Sequence, residues 1–271
     1  MVLGVDIGNC TTKLSTGLTF ESKVSKRQLL NQKGFIFQDK TYYIGDGNYE
    51  TEYRKVNKKN TEIIFAYLTS LFYEPLRVVV GLPILQYQQD CTAFREKLLN
   101  LKIKNVIGVE VYPEGIGTID SGIVIDIGGR TTDCALIRNI NCQKKIENPI
   151  SLPTGTFNLY SEFIKALNSR FCLDLKVEDA QEIIKNGLII DGVSTDIRFA
   201  AETFKSFVEQ LVNTLNIEYS LRSKSVVLVG GGSQLLSEPL LKRIPGAILH
   251  NDCIFANAKA FREVGEQIWQ R

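Results

Sequence analysis

The sequence is poor in the residues that several familiar kinds of site need. His250 is its only histidine, which excludes triad or metal chemistry based on histidine side chains. Its six cysteines form no Cys-x-x-Cys pair, so neither a zinc site nor a thioredoxin-type motif is indicated. No apolar run approaches the roughly 18 residues that a membrane span needs. The formal net charge of +2 is too near neutral to indicate a nucleic-acid footprint.

The beginning of the chain lacks the marks of a signal peptide. The first residues, Met-Val-Leu-Gly-Val-Asp, carry no basic region, and an aspartate interrupts the apolar run early. We expect reduced thiols and a cytoplasmic location. The composition, 44% hydrophobic and 23% charged over 271 residues, is typical of a globular protein with one large domain or two modest ones.

The most informative stretch of the sequence is residues 122–137. An apolar run ends at Asp126, a Gly-Gly pair and two threonines follow, and a second apolar run begins at Ala135. β-Branched runs bounded by glycines indicate two strands joined by a tight turn. Glycines let backbone N–H groups approach an anion, and a carboxylate beside a phosphate cradle indicates a divalent cation, most often Mg²⁺. The alternative is an ordinary hairpin with an aspartate at its turn.

A second copy of this pattern lies near the N-terminus. Residues 5–14 read Val-Asp-Ile-Gly-Asn-Cys-Thr-Thr-Lys-Leu. Both copies therefore combine a strand, Asp-Ile-Gly, two variable residues, Thr-Thr and a second strand. Two phosphate-type hairpins in one chain indicate two similar half-domains that grip one ligand between them.

These residues resemble the phosphate motifs of the actin superfamily, which includes actins, DnaK-type chaperones and sugar kinases. A third stretch, residues 226–236, reads Val-Val-Leu-Val-Gly-Gly-Gly-Ser-Gln-Leu-Leu and resembles the adenosine motif of the same superfamily. The three motifs occur in the order of the superfamily and span most of the chain. The residues that match the two phosphate motifs are Asp6, Gly8 and Lys13 in the first and Asp126, Gly128 and Gly129 in the second.

The resemblance implies an α/β fold of the actin-like ATPase type, with two ribonuclease-H-like domains around a nucleotide cleft. ATP or GTP with Mg²⁺ would bind in this cleft. Domain I would comprise residues 1–117, with a small subdomain at about 31–60, and domain II residues 118–255. The C-terminal helix, residues 256–271, is expected to pack back onto domain I rather than to bind a membrane.

The resemblance also implies roles for individual residues. The catalytic residues would be Glu114, which would position the attacking water, and Asp6 and Asp126, which would also hold the metal through water. Glu114 also fits a helix start, and Glu182 and Lys185 also fit a solvated pair. The residues implied at the phosphates are Gly8, Asn9, Cys10, Thr11, Thr12, Lys13, Gly128, Gly129, Arg130 and Thr131. Those implied at the rest of the nucleotide are Gly155, Glu182, Lys185, Gly231, Gly232, Ser233 and Leu235, with Ser233 as a helix N-cap or a nucleotide donor.

The sequence departs from the superfamily pattern at two turn positions. Cys10 and Arg130 stand where many relatives have glycine, and Arg130 would point either toward phosphate or ribose or into solvent. The segment before the first helix also carries a basic cluster, Lys55, Lys58 and Lys59. We interpret this cluster as a solvated face rather than as a nucleic-acid patch.

The function implied by the resemblance is that of a polymerising nucleotidase of the ParM type, which segregates plasmid DNA. Such a protein would assemble with copies of itself into filaments through head-to-tail contacts, and a centromere-binding adaptor would be its partner. It would bind neither nucleic acid directly nor a membrane. Two alternatives stay open, a small-molecule kinase of the same superfamily and a non-polymerising scaffold. A scaffold needs no carboxylate to position water, so Glu114 favours the nucleotidase over the scaffold.

Overall fold

The protein is an α/β structure built from two sheets of the same design. The computed structural model describes residues 1–28, 33–141 and 143–270. The elements of the first half are β1 (Val2–Ile7), β2 (Thr11–Leu14), β3 (Thr19–Glu21), β4 (Lys23–Ser25), β5 (Phe35–Phe37), β6 (Lys40–Ile44), β7 (Asn48–Tyr49), α1 (Lys59–Ser70), β8 (Leu76–Leu82), α2 (Ile84–Leu99) and β9 (Val106–Pro113). Those of the second half are β10 (Gly122–Ile127), β11 (Thr132–Ile140), β12 (Gln143–Leu152), α3 (Thr156–Phe171), α4 (Ala180–Asn186), β13 (Leu188–Ile190), β14 (Val193–Thr195), α5 (Ala201–Glu218), β15 (Val226–Val229), α6 (Gly231–Leu235), α7 (Ser237–Arg243), β16 (Ala247–Leu249) and α8 (Ala256–Trp269).

The two large sheets repeat one strand order. The first runs β3-β2-β1-β8-β9 and the second runs β12-β11-β10-β15-β16. In each sheet three antiparallel strands are followed by two that continue parallel to the central strand. The register places Val5 opposite Leu14 in one hairpin and Ile125 opposite Cys134 in the other. The sequence repeat is therefore matched by a structural repeat.

Each sheet is buried because its central strands are apolar on both faces. Helices cover such strands in parallel sheets, and their sequences then lose the alternation of a half-exposed strand. The core of the first half is made by Leu3, Val5, Ile7, Leu14, Ile64, Phe65, Leu68, Leu76, Val78, Val80, Leu82, Phe94, Leu98, Val109 and Val111. The second half has its own core around Ile123, Ile125, Ile127, Val208, Leu211, Leu215, Val226 and Leu228.

The end of the chain returns to the first sheet. Helix α8 packs against β1 and β8, and the ring of Phe261 is fully buried there. Gly4 on β1 makes this close approach possible, because a Cβ atom at that position would lie 2.5 Å from the Arg262 nitrogen. Among the described residues, none of the helices is both long and apolar enough to cross a membrane.

The small subdomain and the segment before α5 contain features that the sequence analysis did not indicate. The small four-stranded sheet, β5-β6-β4-β7, begins at Lys23 rather than near residue 31. Helix α5 begins only at Ala201, because just before it the Asp196 carboxylate accepts bonds from the Arg198 backbone and guanidinium in a local turn. Two further strands, β13 and β14, form a hairpin that the periodicity did not indicate.

Candidate functional site

The ends of the central strands of both sheets meet at a cleft. Strand β1 brings Asp6 to this cleft and β10 brings Asp126, so that the two motif carboxylates approach one space from opposite halves. The cavity has a volume of about 280 Å³. The residues singled out in the sequence that line it are Asp6, Gly8, Asn9, Cys10, Thr11, Lys13, Glu114, Asp126, Gly128, Gly129, Thr131, Gly231 and Gly232.

Two backbone turns of the same construction form the floor of the cleft. The Gly8 N–H donates to the Thr11 carbonyl oxygen at 3.2 Å, and the Gly128 N–H donates to the Thr131 carbonyl oxygen at 2.8 Å. The turns come close enough that a Cβ atom at Gly129 would lie 3.2 Å from the Cys10 Cβ atom. Burial raises the pKa of the Cys10 thiol to about 12. The thiol is therefore neutral near pH 7 and adds no negative charge where the two turns meet.

Four buried carboxylates face the cleft. Asp6 Oδ2 lies 3.3 Å from the Lys13 ammonium, and Asp126 Oδ2 accepts a 2.6 Å hydrogen bond from the Asn257 amide. Asp133 also lines the cleft, and its Oδ1 atom has no hydrogen-bond partner among the residues that the structure describes. An unpartnered buried carboxylate oxygen is costly, so this atom indicates a ligand that the side chains themselves do not supply.

The fourth carboxylate, Glu114, is paired with a lysine that the sequence analysis placed in a solvated basic cluster. Lys55 lies in a 3₁₀ turn at Lys55–Asn57, and only 3% of its surface is exposed. Its ammonium group lies 2.5 Å from Glu114 Oε1 and donates to the Gly81 carbonyl oxygen at 3.2 Å. The interpretation of the basic cluster as a solvated face is therefore wrong for Lys55. It is also wrong for Lys58, which is buried and donates to the Asn9 side-chain oxygen.

Carboxyl groups outnumber ammonium groups in the lining of the cleft. Burial, followed by the charge of Asp6, raises the pKa of Asp126, and burial with the charge of Asp126 raises the pKa of Asp133 to about 7. Burial also raises the pKa of Glu114, while the neighbouring Lys55 ammonium opposes this rise. A cation in the cleft would lower all three values, because it favours the ionised carboxylates.

The donor set fits Mg²⁺ bound mainly through water and ligand oxygens. Within residues 1–28, 33–141 and 143–270, no three His, Cys, Asp or Glu side chains lie close enough together to hold a metal ion by themselves. Mg²⁺ usually keeps several waters and takes one or two carboxylates together with substrate phosphates. The pair Asp6 and Asp126, with the free oxygen of Asp133 nearby, meets that requirement.

Some residues singled out in the sequence lie behind the cleft and support it. Thr12 points away from the cleft, because alternate residues of a strand such as β2 face opposite sides. Its hydroxyl is fully buried and lies 2.9 Å from the Ser22 hydroxyl. Gly155 is not in the lining either. A Cβ atom there would lie 2.6 Å from the Gly129 carbonyl carbon, and the next two N–H groups donate to the Gly128 and Gly129 carbonyls. Gly155 therefore lets helix α3 support the second turn.

Other residues singled out in the sequence point away from the cleft. The Arg130 guanidinium donates to the Thr51 carbonyl oxygen at 2.9 Å, so it points neither into the cleft nor freely into solvent. Glu182 and Lys185 are exposed on α4, and their neighbour Gln181 lines the cleft instead. Adjacent side chains of a helix point about 100° apart, so Gln181 faces the cleft and its neighbour Glu182 does not.

The residues after the last glycine turn also differ from the expectation. Gly230 is the N-cap of α6, and Ser233 lies inside that helix, so Ser233 is not an N-cap. Its hydroxyl is fully buried and outside the cleft lining, without a hydrogen-bond partner among the described residues. Leu235 packs between the apolar core of the second half and the cluster around Phe163. The glycines of this motif reach the cleft, whereas Ser233 and Leu235 do not.

Several cleft residues had no signal in the sequence. Asp133, Asn257, Tyr160 and Gln181 line the cavity together with Lys55. Asn257 comes from α8 and links β10 to the turn after β9. Its amide donates to Asp126, and its oxygen accepts from the Gly115 N–H at 2.8 Å. The C-terminal helix thus contributes directly to the cleft.

The buried Lys58 ammonium gives a pH-dependent contribution to stability. Burial, with repulsion from Lys55 and Arg130, lowers the pKa of Lys58 from 10.5 to about 8. Between these values the unfolded chain holds the proton and the folded protein does not, so stability rises with pH. Relative to Lys58→Met, the wild type should gain about 2 kcal/mol in free energy of unfolding between pH 7 and about pH 9.5, measured by urea denaturation.

Lys59→Met is the matched control for this measurement, because Lys59 is the exposed neighbour of Lys58. It removes one positive charge from the same segment without opening a buried position. If the stability difference between the wild type and Lys58→Met is the same at both pH values, burial does not lower the pKa of Lys58 as described.

Two family models match the chain, one on each half. The model for the N-terminal domain of actin-like proteins matches residues 4–117, and the model for the C-terminal region of archaeal MreB-like actin homologues matches residues 124–242. The matched residues contain both phosphate turns, Glu114 and the glycine motif after β15. With the repeated sheets around a cleft, these matches show that the chain belongs to the actin superfamily.

Within this superfamily the chain is similar to archaeal and bacterial actin homologues. An archaeal actin homologue of Thermoplasma acidophilum is 25% identical over 230 residues, which cover 71% of this chain and 69% of that protein. The chain is thus a prokaryotic actin-like protein that resembles ParM, as the sequence motifs indicated.

Solved structures confirm the actin-like fold over the whole chain. An archaeal actin homologue crystallised with ADP superposes with a TM-score of 0.78 at 20% identity, covering 98% of this chain and 99% of that chain. A non-polymerisable ParM quadruple mutant gives a TM-score of 0.77 at 18% identity, covering 98% and 99%. A MamK double helical filament gives 0.65 at 18% identity, covering 98% of both chains.

Proposed function

We propose that this protein binds and hydrolyses a nucleoside triphosphate and that hydrolysis controls its assembly into filaments. The observation that carries the proposal is the position of Glu114. It is buried at the cleft beside two phosphate-type turns, and Lys55 compensates its charge at 2.5 Å. A buried, charge-paired carboxylate in a cleft is a candidate for acid–base chemistry.

The two turns are suited to hold the phosphates. Their backbone N–H groups can donate to phosphate oxygens, and the Lys13 ammonium supplies positive charge beside them. In this arrangement the turns bind through Gly8 to Thr11 and Gly128 to Thr131, and the glycines of α6 leave room for the nucleoside. Gln181 and Tyr160 are two polar side chains in the lining that could contact the base and set the preference between ATP and GTP.

Asp6 and Asp126 would hold Mg²⁺ through water molecules. The ion would supply charge neutralisation at the transferring phosphoryl group. Asn257 keeps the Asp126 carboxylate in place from α8, and Lys13 does the same for Asp6. The chain therefore fixes both carboxylates from a second element, which keeps their oxygens directed at the cleft.

Glu114 would act on the attacking water. In hydrolysis the water oxygen bonds to the γ-phosphorus, the bond to the β-phosphate oxygen breaks, and the water proton leaves to an acceptor. The Glu114 carboxylate can accept that proton or orient the water. Lys55 favours the ionised form of Glu114 that this role requires, because its ammonium group opposes the effect of burial.

Self-association into a filament is the proposed use of the hydrolysis. The structural relatives include a protein solved as a double helical filament and a ParM variant described as non-polymerisable. We propose domains at 1–117 and 118–255, with head-to-tail contacts between copies. Plasmid DNA segregation through a centromere-binding adaptor, without direct contact to nucleic acid, is the specific role that we propose.

Nucleotide binding should raise the melting temperature of the protein. A ligand at 100 times its dissociation constant stabilises the folded state by about 2.7 kcal/mol, which corresponds to roughly 5 °C for a chain of this size. We expect this shift with MgATP or MgGTP in a thermal denaturation experiment. The Gly155→Ala variant should lose most of it, because the added methyl group collides with the second phosphate turn.

Gly246→Ala provides the matched control. Gly246 is exposed, and a Cβ atom there would meet no other atom within 4 Å. This variant should show the full nucleotide-dependent shift. A wild-type protein whose melting temperature responds to neither nucleotide would contradict the proposed function.

A further inference from the structure

One buried lysine beside the cleft has no acidic partner. The Lys13 ammonium lies 3.3 Å from Asp6 Oδ2. The Lys55 ammonium is paired with Glu114 in the same way. Lys58 is also buried, with 6% of its surface exposed, but it forms no ion pair with any residue that the structure describes. A buried charge normally has a partner of opposite sign, so this ammonium group indicates an anion from outside the chain.

The acidic residue in the same surroundings is already engaged. A small cavity behind the first phosphate turn is lined by both Lys58 and Glu50. Glu50 Oε1 accepts from the Lys59 N–H at 3.0 Å, and its Oε2 accepts from the Asn60 N–H at 2.8 Å. Both oxygens thus satisfy free N–H groups at the start of α1. The Lys58 backbone is fixed as well, because its carbonyl oxygen accepts from the Lys97 ammonium of α2 at 3.1 Å.

The Lys58 ammonium instead donates to the side-chain oxygen of Asn9. Asn9 belongs to the first phosphate turn and lines both the cleft and the small cavity behind it. An ammonium group has donors only, so it selects the oxygen of the amide and not the nitrogen. The Asn9 N–H groups are therefore turned away from Lys58. They have no acceptor among the described residues, and their nitrogen is not a buried atom.

We propose that Lys58 is a positioning residue that fixes the Asn9 amide with its N–H groups directed at the phosphates of the bound nucleotide. The proposal rests on the proposed function, since it concerns the same phosphate site. A freely turning amide would also present its oxygen, which repels phosphate oxygens. Lys58 removes that orientation before the ligand binds and adds positive charge behind the turn. The ammonium form predominates at pH 7, because the pKa of Lys58 is about 8.

The first test concerns the contact itself, in the protein without nucleotide. The side-chain amide signal of Asn9 in a proton–nitrogen correlation spectrum is the one that Asn9→Ala lacks. We expect this signal to shift in Lys58→Met and to stay in place in Lys59→Met, because Lys59 is exposed. Lys58→Met should fold, since it removes the desolvation cost of a buried charge. An unchanged Asn9 signal in Lys58→Met would overturn the proposed contact.

The second test measures binding of the β,γ-imido analogues of ATP and GTP with Mg²⁺ by titration calorimetry at pH 7. Loss of a hydrogen bond to a charged group should weaken binding about 10-fold in Lys58→Met and in Asn9→Ala. Lys58→Arg should recover part of the affinity, and Lys59→Met should bind as the wild type does. In an Asn9→Ala background, Lys58→Met should cause no further loss, because Lys58 acts through Asn9.

The outcomes separate this inference from the proposed function. If the wild type binds an analogue and Lys58→Met binds it equally tightly, the inference is wrong and the proposed function stands. If the effects of Lys58→Met and Asn9→Ala multiply, Lys58 does not act through Asn9, and the inference is also wrong. If the wild type binds neither analogue, the proposed function fails and the role of Lys58 fails with it.

Discussion

Glu114→Gln is expected to lower the rate of nucleotide hydrolysis by about 10²- to 10⁴-fold. The side chain keeps its shape and can still accept a bond from Lys55, but the neutral amide cannot take the proton of the attacking water. Nucleotide binding should persist, because the phosphate turns and Lys13 are unchanged. Phosphate release under single-turnover conditions measures the loss, and the nucleotide-dependent melting shift shows that binding remains.

Glu110→Gln is the matched control for this change. Glu110 lies on the same strand, β9, and pairs on the surface with Arg95 at 3.0 Å. Its substitution should leave hydrolysis unchanged, because a surface ion pair of this kind contributes little and lies outside the cleft lining. Hydrolysis by Glu114→Gln within twofold of the wild-type rate would remove Glu114 from the mechanism.

Phe261→Ala should destabilise the protein by about 3–5 kcal/mol. The ring is fully buried between α8 and the first sheet, and it packs edge-to-face on Tyr112 with 6.4 Å between centroids. Its removal leaves a cavity under the helix that carries Asn257. Urea denaturation at low temperature measures the loss, and weaker nucleotide binding should accompany it because Asn257 supports Asp126.

A substitution at the exposed end of α8 is the control for Phe261→Ala. Ile268 is 44% exposed, so Ile268→Ala should cost about 1 kcal/mol or less. If both variants lose the same stability, α8 is not anchored by Phe261 as the structure describes. If Phe261→Ala loses stability but binds nucleotide as tightly as the wild type, the link from α8 to the cleft through Asn257 is wrong.

The repeated motif made the general fold predictable from the sequence. Two strands ending in Asp-Ile-Gly and followed by Thr-Thr give the same local structure twice, because the β-branched runs and the glycine turns are both local signals. The hairpin of β13 and β14 was missed although its turn is Asp191-Gly192, a strong hairpin signal, because its strands are only three residues long.

The carboxylates of the cleft were predictable only where a motif marks them. Asp6 and Asp126 follow apolar strands and precede glycines, and Glu114 was placed by resemblance. Asp133 looks like an ordinary polar residue of a strand, and only its pairing with Asp126 across the hairpin brings it to the cleft. No local pattern carries that information.

Lys55 shows the same limit most clearly. Its segment is polar and rich in turn signals, which normally indicates an exposed loop. Its burial arises from Glu114, which lies 59 positions further along the chain. A charged side chain is buried when a partner compensates it, and this partner is known only after the first half has folded. For the same reason the sequence left the direction of Arg130 open.

The most direct test of the account follows light scattering and phosphate release in one sample of the purified protein after addition of MgATP or MgGTP. The account predicts that scattering rises only with nucleotide and then decays as phosphate accumulates. Glu114→Gln should give the rise without the decay. Scattering that stays flat at micromolar protein over a range of salt concentrations, with no phosphate released, would contradict the central claim that hydrolysis in this cleft controls assembly.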